Sequence, residues 1–344
     1  RTEGAGEAGE KEEEAKIGGG YAATGQLQGV GYTAKIYDAT NGLPTSDANW
    51  ILGASDGYIW IGGYSGVIRY DGKTFERLDG ANGLTSGRVM FEDSKGRIWV
   101  GTNDNGVVEL SGNESRHFTY QDGLPSSSIR SFAEDETGRI YIGSTSGICY
   151  AENDSLTLFS DERLSGKTIE RLAGAADGRV YGVTSEGELF CIRGGAVDAF
   201  YESSALGLQS ATTIFPDPKD PGSVYLGTDG SEVYYGSFGT KVSGLTRISA
   251  APAEGIDWIT EACGRIWICS EELAGYLDEG NTFQPLRDLP MNNSIWMLTD
   301  DYQGNLWFAS SRQGVMKVVA NNFEDLFEAA ELPEEVVNAT CLRD

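Results

Sequence analysis

Histidine is almost absent from this sequence, since the 344 residues contain a single one, His117. A metal site built from several histidines is therefore excluded, and a Ser-His-Asp or Cys-His catalytic arrangement would have to use His117. This residue stands in the segment Ser115–Tyr120, which has the character of an outer strand, so we interpret it as an ordinary half-exposed side chain. The sequence thus implies no catalytic residue, no metal ion and no cofactor.

Positive charge is scarce as well, because 26 Lys and Arg residues stand against 52 Asp and Glu residues. The net charge of −26 would repel the phosphate backbone of a nucleic acid and the surface of an anionic membrane. No apolar run approaches the ~18 residues that a membrane span needs. We therefore expect no nucleic-acid partner, and contact with a membrane only through segments outside this chain.

Cysteine and proline are also few. The five cysteines are odd in number and lack Cys-x-x-Cys spacing, so the sequence encodes neither a disulfide framework nor a zinc ribbon. We interpret them as small buried hydrophobic side chains. Only 9 prolines accompany 47 glycines, which indicates many tight turns and not a proline-rich disordered chain.

What the sequence does contain is one pattern that recurs seven times: a turn glycine, two residues, an aromatic residue, and soon afterwards a second turn. The aromatic residues are Trp60, Trp99, Tyr141, Tyr181, Tyr225, Trp267 and Trp307. Their spacing of about 40 residues, with four short candidate strands in each unit, is typical of a propeller blade. We predict an all-β protein, a seven-bladed β-propeller of four-stranded antiparallel blades. The recurring aromatic residue should pack between blades and not form a ligand cage.

The strand-like segments also predict the domain boundaries. Residues 1–31 are expected to form a flexible acidic and glycine-rich tether, because they contain too little apolar surface to offset chain entropy. Residues 32–327 should form the propeller, and 328–344 the start of a further repeat or a linker to a second propeller. We favour closure of the ring by a strand at Lys35–Asp38, with the chain after about Asn322 leading out. In the alternative, Phe323–Phe327 closes it.

Acidic residues recur at turns, three residues before a turn glycine, as in Asp93, Asp135 and Asp301. Aspartate side chains in turns accept hydrogen bonds from the backbone that follows them, so we interpret these residues as turn residues. Counting alone does not exclude a pair of catalytic carboxylates in a chain with 52 acids.

Candidate ligand-binding residues lie on one face of the predicted ring. The loops from each outer strand to the next inner strand, and those from second to third strands, share that face. The candidates are Asn49, Tyr64, Arg88, Asn103, Asp104, Arg130, Lys167 and Arg312. In an acidic protein, Arg88, Arg130 and Lys167 in three consecutive blades predict attraction of an anionic small molecule or a sugar acid. The alternative is that they are solvated surface cations.

Several segments resemble the two-component regulator propeller repeat, namely Asn41–Pro44, Asp56–Gly63, Gly66–Tyr70, Ile98–Asn103 and Gly123–Pro125. The resemblance extends over about residues 32–344. It implies the extracytoplasmic sensor of a bacterial membrane signalling protein, with two propellers often in tandem before a transmembrane helix and a histidine kinase or GGDEF-type diguanylate cyclase. The segment would then be a non-catalytic, ligand-sensing domain for a small molecule or a glycan fragment, with a possible second propeller in the same chain.

Two other functions stay open. One is a carbohydrate-active propeller enzyme, a glycosidase or a lyase, that uses dispersed carboxylates. The other is a protein-interaction platform, because the same face can receive a peptide. An enzyme would turn over its substrate, a sensor would show saturable binding without product, and a peptide would form a broad interface with aromatic hot spots.

Overall fold

The computed structural model of the protein describes residues 22–27, 30–78 and 80–320. Within these ranges the chain forms seven antiparallel sheets that follow one another along the sequence. The inner strand of each sheet contacts the inner strand of the next, and that of the seventh contacts that of the first. The protein is therefore an all-β, seven-bladed β-propeller, as predicted.

The first two strands are β1 (Ala22–Leu27) and β2 (Val30–Tyr37). From inner to outer strand, blade 1 consists of β3 (Trp50–Gly53), β4 (Ile59–Gly63), β5 (Gly66–Tyr70) and β6 (Phe75–Arg77). Blade 2 consists of β7 (Val89–Glu92), β8 (Ile98–Gly101), β9 (Val107–Ser111) and β10 (Glu114–Phe118). Blade 3 consists of β11 (Ile129–Glu134), β12 (Ile140–Ser144), β13 (Gly147–Glu152) and β14 (Ser155–Leu158).

Blade 4 consists of β15 (Ile169–Gly174), β16 (Val180–Thr184), β17 (Glu188–Arg193) and β18 (Ala196–Glu202). Blade 5 consists of β19 (Ala211–Pro216), β20 (Ser223–Thr228), β21 (Glu232–Ser237) and β22 (Ser243–Ser249). Blade 6 consists of β23 (Ile256–Ala262), β24 (Arg265–Ser270), β25 (Ala274–Leu277) and β26 (Phe283–Pro285). Blade 7 begins with β27 (Ile295–Asp300), β28 (Leu306–Ser310) and β29 (Gly314–Ala320). Within the described residues, three short 3₁₀ helices span Gly80–Asn82, Tyr120–Asp122 and Ser203–Leu206.

The amino-terminal strand β2 closes the ring. It pairs antiparallel with β29, with Tyr37 opposite Val315 and Tyr32 opposite Ala320, and so becomes the fourth strand of blade 7. The favoured closure is therefore confirmed, whereas residues 323–327 lie outside the described residues. Strand β1 adds a fifth strand to this sheet by pairing with β2.

The boundary that we predicted at residue 32 needs correction, because the sheet already includes β1 and the start of β2. Backbone pairing explains the difference: a glycine-rich segment with little apolar surface still gains its ladder hydrogen bonds when a neighbouring strand edge is present. The rest of the predicted tether, residues 1–21, and the segment 328–344 lie outside the described residues.

Each recurring aromatic residue packs against the blade that follows it. All seven are at most 6% exposed. For example, Trp307 of blade 7 lies in one cluster with Ile51 and Tyr70 of blade 1, and the rings of Trp267 and Phe308 in blades 6 and 7 are 6.3 Å apart. The prediction of an inter-blade packing role is confirmed.

The turn aspartates hold these aromatic residues in place. Asp93 Oδ1 accepts the backbone N–H groups of Lys95 at 3.0 Å and Arg97 at 2.9 Å, and its Oδ2 accepts Trp99 Nε1–H at 2.9 Å. The same arrangement recurs with Asp135 and the Tyr141 hydroxyl at 3.1 Å, and with Asp301 and Trp307 Nε1 at 2.8 Å. The turn interpretation is confirmed, and the second carboxylate oxygen adds an anchor for the inter-blade core.

Four cysteines fall within the described residues, and all four are free thiols. Cys149, Cys191 and Cys269 are buried, as expected for small hydrophobic side chains. Cys263 is exposed, because it occupies the hairpin turn between β23 and β24 with φ at +50°. No helix within residues 22–27, 30–78 and 80–320 has the length and hydrophobicity that crossing a bilayer requires.

Candidate functional site

Most inner strands have a β-bulge next to their first residue. In five blades one residue bulges out of register with the second strand; these residues are Arg130, Glu170, Thr212, Asp257 and Trp296. In the other two blades Asn49 and Arg88 hold the equivalent position, and their backbone N–H groups bond to Gly62 O and Gly101 O. A bulged residue is left out of the hydrogen-bond ladder, and its side chain points in a different direction from that of a regular strand residue.

These seven positions, one from each blade, line a single cavity of about 80 Å³, which we call the central pocket. Its other lining residues come from the next position of the inner strands and are Trp50, Arg171, Trp258 and Met297. Because every blade contributes the same position, the pocket lies at the mouth of the central channel.

The chemistry of the central pocket changes from one side to the other. Blades 2 and 3 supply the cations Arg88 and Arg130, whereas blades 4 to 6 supply the oxygen-bearing side chains Glu170, Thr212 and Asp257. Blade 7 supplies Trp296, whose ring centroid lies 5.4 Å from the Arg88 guanidinium carbon. Burial, together with the charge of Arg88, lowers the pKa of Arg130.

Arg171 forms the floor of the central pocket and is 4% exposed. Its Nη1 donates to Thr213 Oγ1 at 2.7 Å and to the carbonyl of Ile259 at 2.6 Å, and its Cζ lies 3.5 Å from the centroid of the Trp258 ring. Burial lowers the pKa of Arg171 to about 9, so the side chain remains cationic at neutral pH. No carboxylate in the described part of the chain forms an ion pair with it.

Asp257 is the carboxyl group most affected by this environment. Water reaches its side chain through the pocket, but the surrounding protein withholds most of the hydration that a carboxylate has in bulk water. This burial, with a smaller contribution from the charge of Glu271, raises the pKa of Asp257 to about 7.

Asp257 should make the stability of the ring depend on pH. Its pKa is about 7 in the folded protein and 3.8 without the fold, so the folded state holds the proton more tightly. Stability is therefore lost as pH rises from about 4 to about 7, and the loss persists above that range. Asp257→Asn removes this loss, so we expect its gain in melting temperature over wild type to be larger at pH 8 than at pH 5.

Glu271 and Cys269 are the titratable groups that interact with Asp257, Arg171 lines the same pocket, and the substitution leaves all three in place. Scanning calorimetry at the two pH values measures the difference, with the exposed loop substitution Asp104→Asn as a control that should show no such trend. An equal gain for Asp257→Asn at both pH values would contradict the assigned pKa shift.

Three of the residues proposed from sequence, Asn49, Arg88 and Arg130, meet in the central pocket. Tyr64 stands nearby, 65% exposed and close enough to Arg130 to influence its charge. The structure therefore brings three of the eight proposed residues into one pocket, with Tyr64 beside it but outside its lining.

The other proposed residues do not line the central pocket. Lys167 forms ion pairs with Glu186 at 3.0 Å and with Glu188, so its charge is already neutralised. Asn103 takes part in a contact between loops, in which its backbone N–H donates to Ser86 Oγ at 2.9 Å. Asp104 and Arg312 are exposed loop residues outside the pocket.

Sequence reasoning missed eight pocket residues, which are Trp50, Glu170, Arg171, Thr212, Asp257, Trp258, Trp296 and Met297. A signal for the bulged positions was present: in five blades the pocket residue stands 11 positions before the recurring aromatic residue, as Arg88 does before Trp99 and Glu170 before Tyr181. In blade 4 the sequence predicts the start of the inner strand at Lys167, whereas β15 begins at Ile169.

His117 does not line the central pocket. His117 lies exposed on β10, where its Nε2 is 2.6 Å from the carbonyl of Asn105. In the described ranges no group of three or more His, Cys, Asp or Glu side chains is placed to hold a metal ion.

Fold and pocket together define a β-propeller with a charged, tryptophan-lined pocket at its channel mouth. Residues 85–104 and 123–146 match the family model described as two component regulator propeller. The resemblance to this repeat is therefore confirmed within these two segments. No curated protein matches the sequence of the chain.

Solved structures share the fold at low sequence identity. Virginiamycin B lyase from Staphylococcus aureus is 13% identical over 84% of this chain and 100% of its own, with a TM-score of 0.70. The extracellular domain of BT3049 from B. thetaiotaomicron, named as a hybrid two component system, is 16% identical over 86% of this chain and 45% of its own, with a TM-score of 0.69. YCF48 bound to D1 peptide is 13% identical over 87% of this chain and 100% of its own, with a TM-score of 0.64. At these identities the likeness shows the fold alone.

Proposed function

We propose that this chain is a non-catalytic sensory propeller of a bacterial signalling protein, which binds a small molecule or a glycan fragment on the extracytoplasmic side of the cell membrane. The observation that carries the proposal is that all seven blades contribute the same structural position to one pocket. The match to the two component regulator propeller model supports a role in signalling. The likeness to the extracellular domain of BT3049 supports the extracytoplasmic location.

Ligand binding becomes a signal only when the ligand favours one of two arrangements of the ring or of its partners. The floor of the central pocket suits such coupling, because Arg171 of blade 4 bonds to Thr213 of blade 5 and Ile259 of blade 6. A ligand above Arg171 thus touches the link between three blades. The proposed receivers of the signal are a second propeller in the same chain, which residues 328–344 would begin, and a histidine kinase or diguanylate cyclase beyond a membrane anchor outside this segment.

One observation favours a second candidate, a carbohydrate-active enzyme. Glu170 and Asp257 are two carboxyl groups in one pocket, and a pKa of about 7 for Asp257 suits a general acid. The same two groups serve a sensor as hydrogen-bond acceptors. Turnover separates the two functions, because a sensor releases its ligand unchanged.

The charge reversal Arg88→Glu with Arg130→Glu should abolish ligand binding without unfolding the ring. Both side chains lie at the pocket mouth, and their reversal places two more negative charges beside Glu170 and Asp257. A compound library of organic acids, monosaccharides and oligosaccharides is tested by thermal shift, since a ligand at 100 times its Kd adds about 2.7 kcal/mol of stability. We expect hits that stabilise the wild type and Arg312→Glu but not the double variant.

Every hit is then incubated with the wild type and with Asp257→Asn and analysed by mass spectrometry. Recovery of the unchanged compound agrees with a sensor. Product that forms with the wild type and not with Asp257→Asn would replace the sensor by the enzyme, and hits that bind the double variant equally well would remove the central pocket from the proposal.

A further inference from the structure

The side chains around the central pocket also define the chemistry of its ligand. Resting on the proposed function, we infer that the ligand is a small monocarboxylate that carries hydrogen-bond donors at its opposite end. Its carboxylate lies between Arg88 and Arg130, and its donors face Glu170, Thr212 and Asp257.

The positive charges of Arg88 and Arg130, on the cationic side of the pocket, are not neutralised by neighbouring carboxylates within the described residues. Within the described ranges neither Arg88 nor Arg130 forms an ion pair. Arg130 Nη1 makes one long hydrogen bond of 3.4 Å to the carbonyl of Ile129, and Arg88 rests on the Trp296 ring. Lys167 on the same face is the contrast, because two glutamates hold it. Planar guanidinium groups with free donors are the side chains best suited to a carboxylate.

The buried Arg171 below adds a third positive charge. An unpaired cation with 4% exposure is costly, and an anion above it reduces that cost. Its Nε has no hydrogen-bond partner in the described residues, so the guanidinium is not saturated by the protein. The field at the pocket floor is therefore positive although the whole chain has a net charge of −26.

The count of charges selects one negative charge and not two. At pH 8, above the pKa of about 7 of Asp257, this carboxyl group carries its charge, and the three guanidinium groups of Arg88, Arg130 and Arg171 outnumber Glu170 and Asp257 by one. A hydroxylated monocarboxylate balances this excess, whereas an amino acid, which brings an ammonium charge as well, leaves it in place. A phosphate monoester, with nearly two negative charges, would leave an excess of negative charge beside both carboxyl groups.

The opposite side of the pocket requires donors from the ligand. Glu170 and Asp257 carry acceptor oxygens, and the Thr212 side chain is held by the carbonyl of Ile256, to which its hydroxyl donates. Hydroxyl groups of a sugar acid and the ammonium group of an amino acid both meet this need. Trp296, 41% exposed, supplies a flat apolar surface between the two polar sides.

The test is isothermal titration of the wild type at pH 8, where Asp257 carries its charge, with matched compounds. The monocarboxylates are D-glucuronate, D-gluconate, lactate and L-alanine; the comparison compounds are neutral D-glucose and dianionic D-glucose 6-phosphate. We expect saturable binding of at least one monocarboxylate and weaker or no binding of glucose and its phosphate. A preference for the sugar acids or for alanine distinguishes hydroxyl from ammonium donors.

Variants locate the binding. Arg88→Gln and Arg130→Gln are each expected to weaken binding of the monocarboxylate about tenfold to a hundredfold, because a charge-assisted hydrogen bond is lost. Arg312→Gln removes a positive charge from an exposed loop outside the pocket and should leave the affinity unchanged. Arg171→Met, of similar volume, should also lose affinity while circular dichroism reports an intact ring.

Three results would overturn the inference. No binding by any of the monocarboxylates is one, and equal affinity for wild type, Arg88→Gln and Arg130→Gln is another. In the third, glucose or glucose 6-phosphate binds better than the monocarboxylates and depends on Arg88 and Arg130, which would refute the carboxylate and leave the sensory pocket standing. Formation of product from any of these compounds would instead refute the proposed function.

Discussion

Asp93→Ala is expected to lower the free energy of unfolding by about 3–5 kcal/mol, because it removes a buried charge that several donors share. The Asp93 side chain is 0% exposed and pairs with Arg97 Nε at 2.6 Å. It also accepts the Trp99 indole N–H at 2.9 Å. The substitution leaves the indole donor without an acceptor inside the inter-blade core and Arg97 without its closest partner.

Asp56→Ala is the control, since Asp56 lies in the equivalent turn of blade 1, two residues after Ala54, which occupies the position of Asp93. Its carboxylate accepts one hydrogen bond, from the exposed backbone N–H of Tyr58 at 3.1 Å. We expect a loss of no more than about 1 kcal/mol there. Chemical denaturation followed by tryptophan fluorescence measures both variants. Losses of equal size would show that the carboxylate acts through the turn alone and does not anchor the aromatic residue.

Ile36→Asp is expected to prevent closure of the ring, with a loss of more than about 4 kcal/mol and aggregation on expression. Ile36 on β2 is 4% exposed and lies in the core cluster that contains Trp267, Phe308 and Met316. A carboxylate there has no partner in the cluster, and without β2 the edge of β29 is open to other chains.

Lys35→Asp provides the control on the same strand. Lys35 is exposed and stands opposite Lys317 of β29, so the substitution replaces a like-charged pair by an opposite pair. Circular dichroism and size-exclusion chromatography should find this variant folded and monodisperse like the wild type. A folded, cooperative Ile36→Asp protein would mean that another strand closes blade 7.

The fold was predictable because its signal is repeated. The aromatic residue of each blade is buried against the next one, so its spacing reports the blade length seven times over, and one irregular copy does not hide it. Turn aspartates such as Asp93 were predictable for a similar reason, since their hydrogen bonds are local in sequence. Strand β1 and the first residues of β2 were not, because the pairing that holds this hairpin comes from β29, almost 300 residues away.

The site was predictable only in part. Arg88 and Arg130 attracted notice because cations are scarce in this chain. Glu170 and Asp257 did not, since they are two of 52 acids, and only the ring places them opposite the arginines. Arg171 lies within an inner strand that is covered on both faces, so the alternation of residues does not reveal which side chains face the channel.

We expect a ligand to bind, intact, in the pocket that the seven inner strands form. The most direct measurement is a crystal structure of the protein with the compound that gives the largest thermal shift. We predict density for the unchanged compound above Arg171, with its anionic group near Arg88 and Arg130 and its other end toward blades 4 to 6. Density for a cleaved product there, or for the compound anywhere else on the propeller with the central pocket filled only by water, would contradict the account.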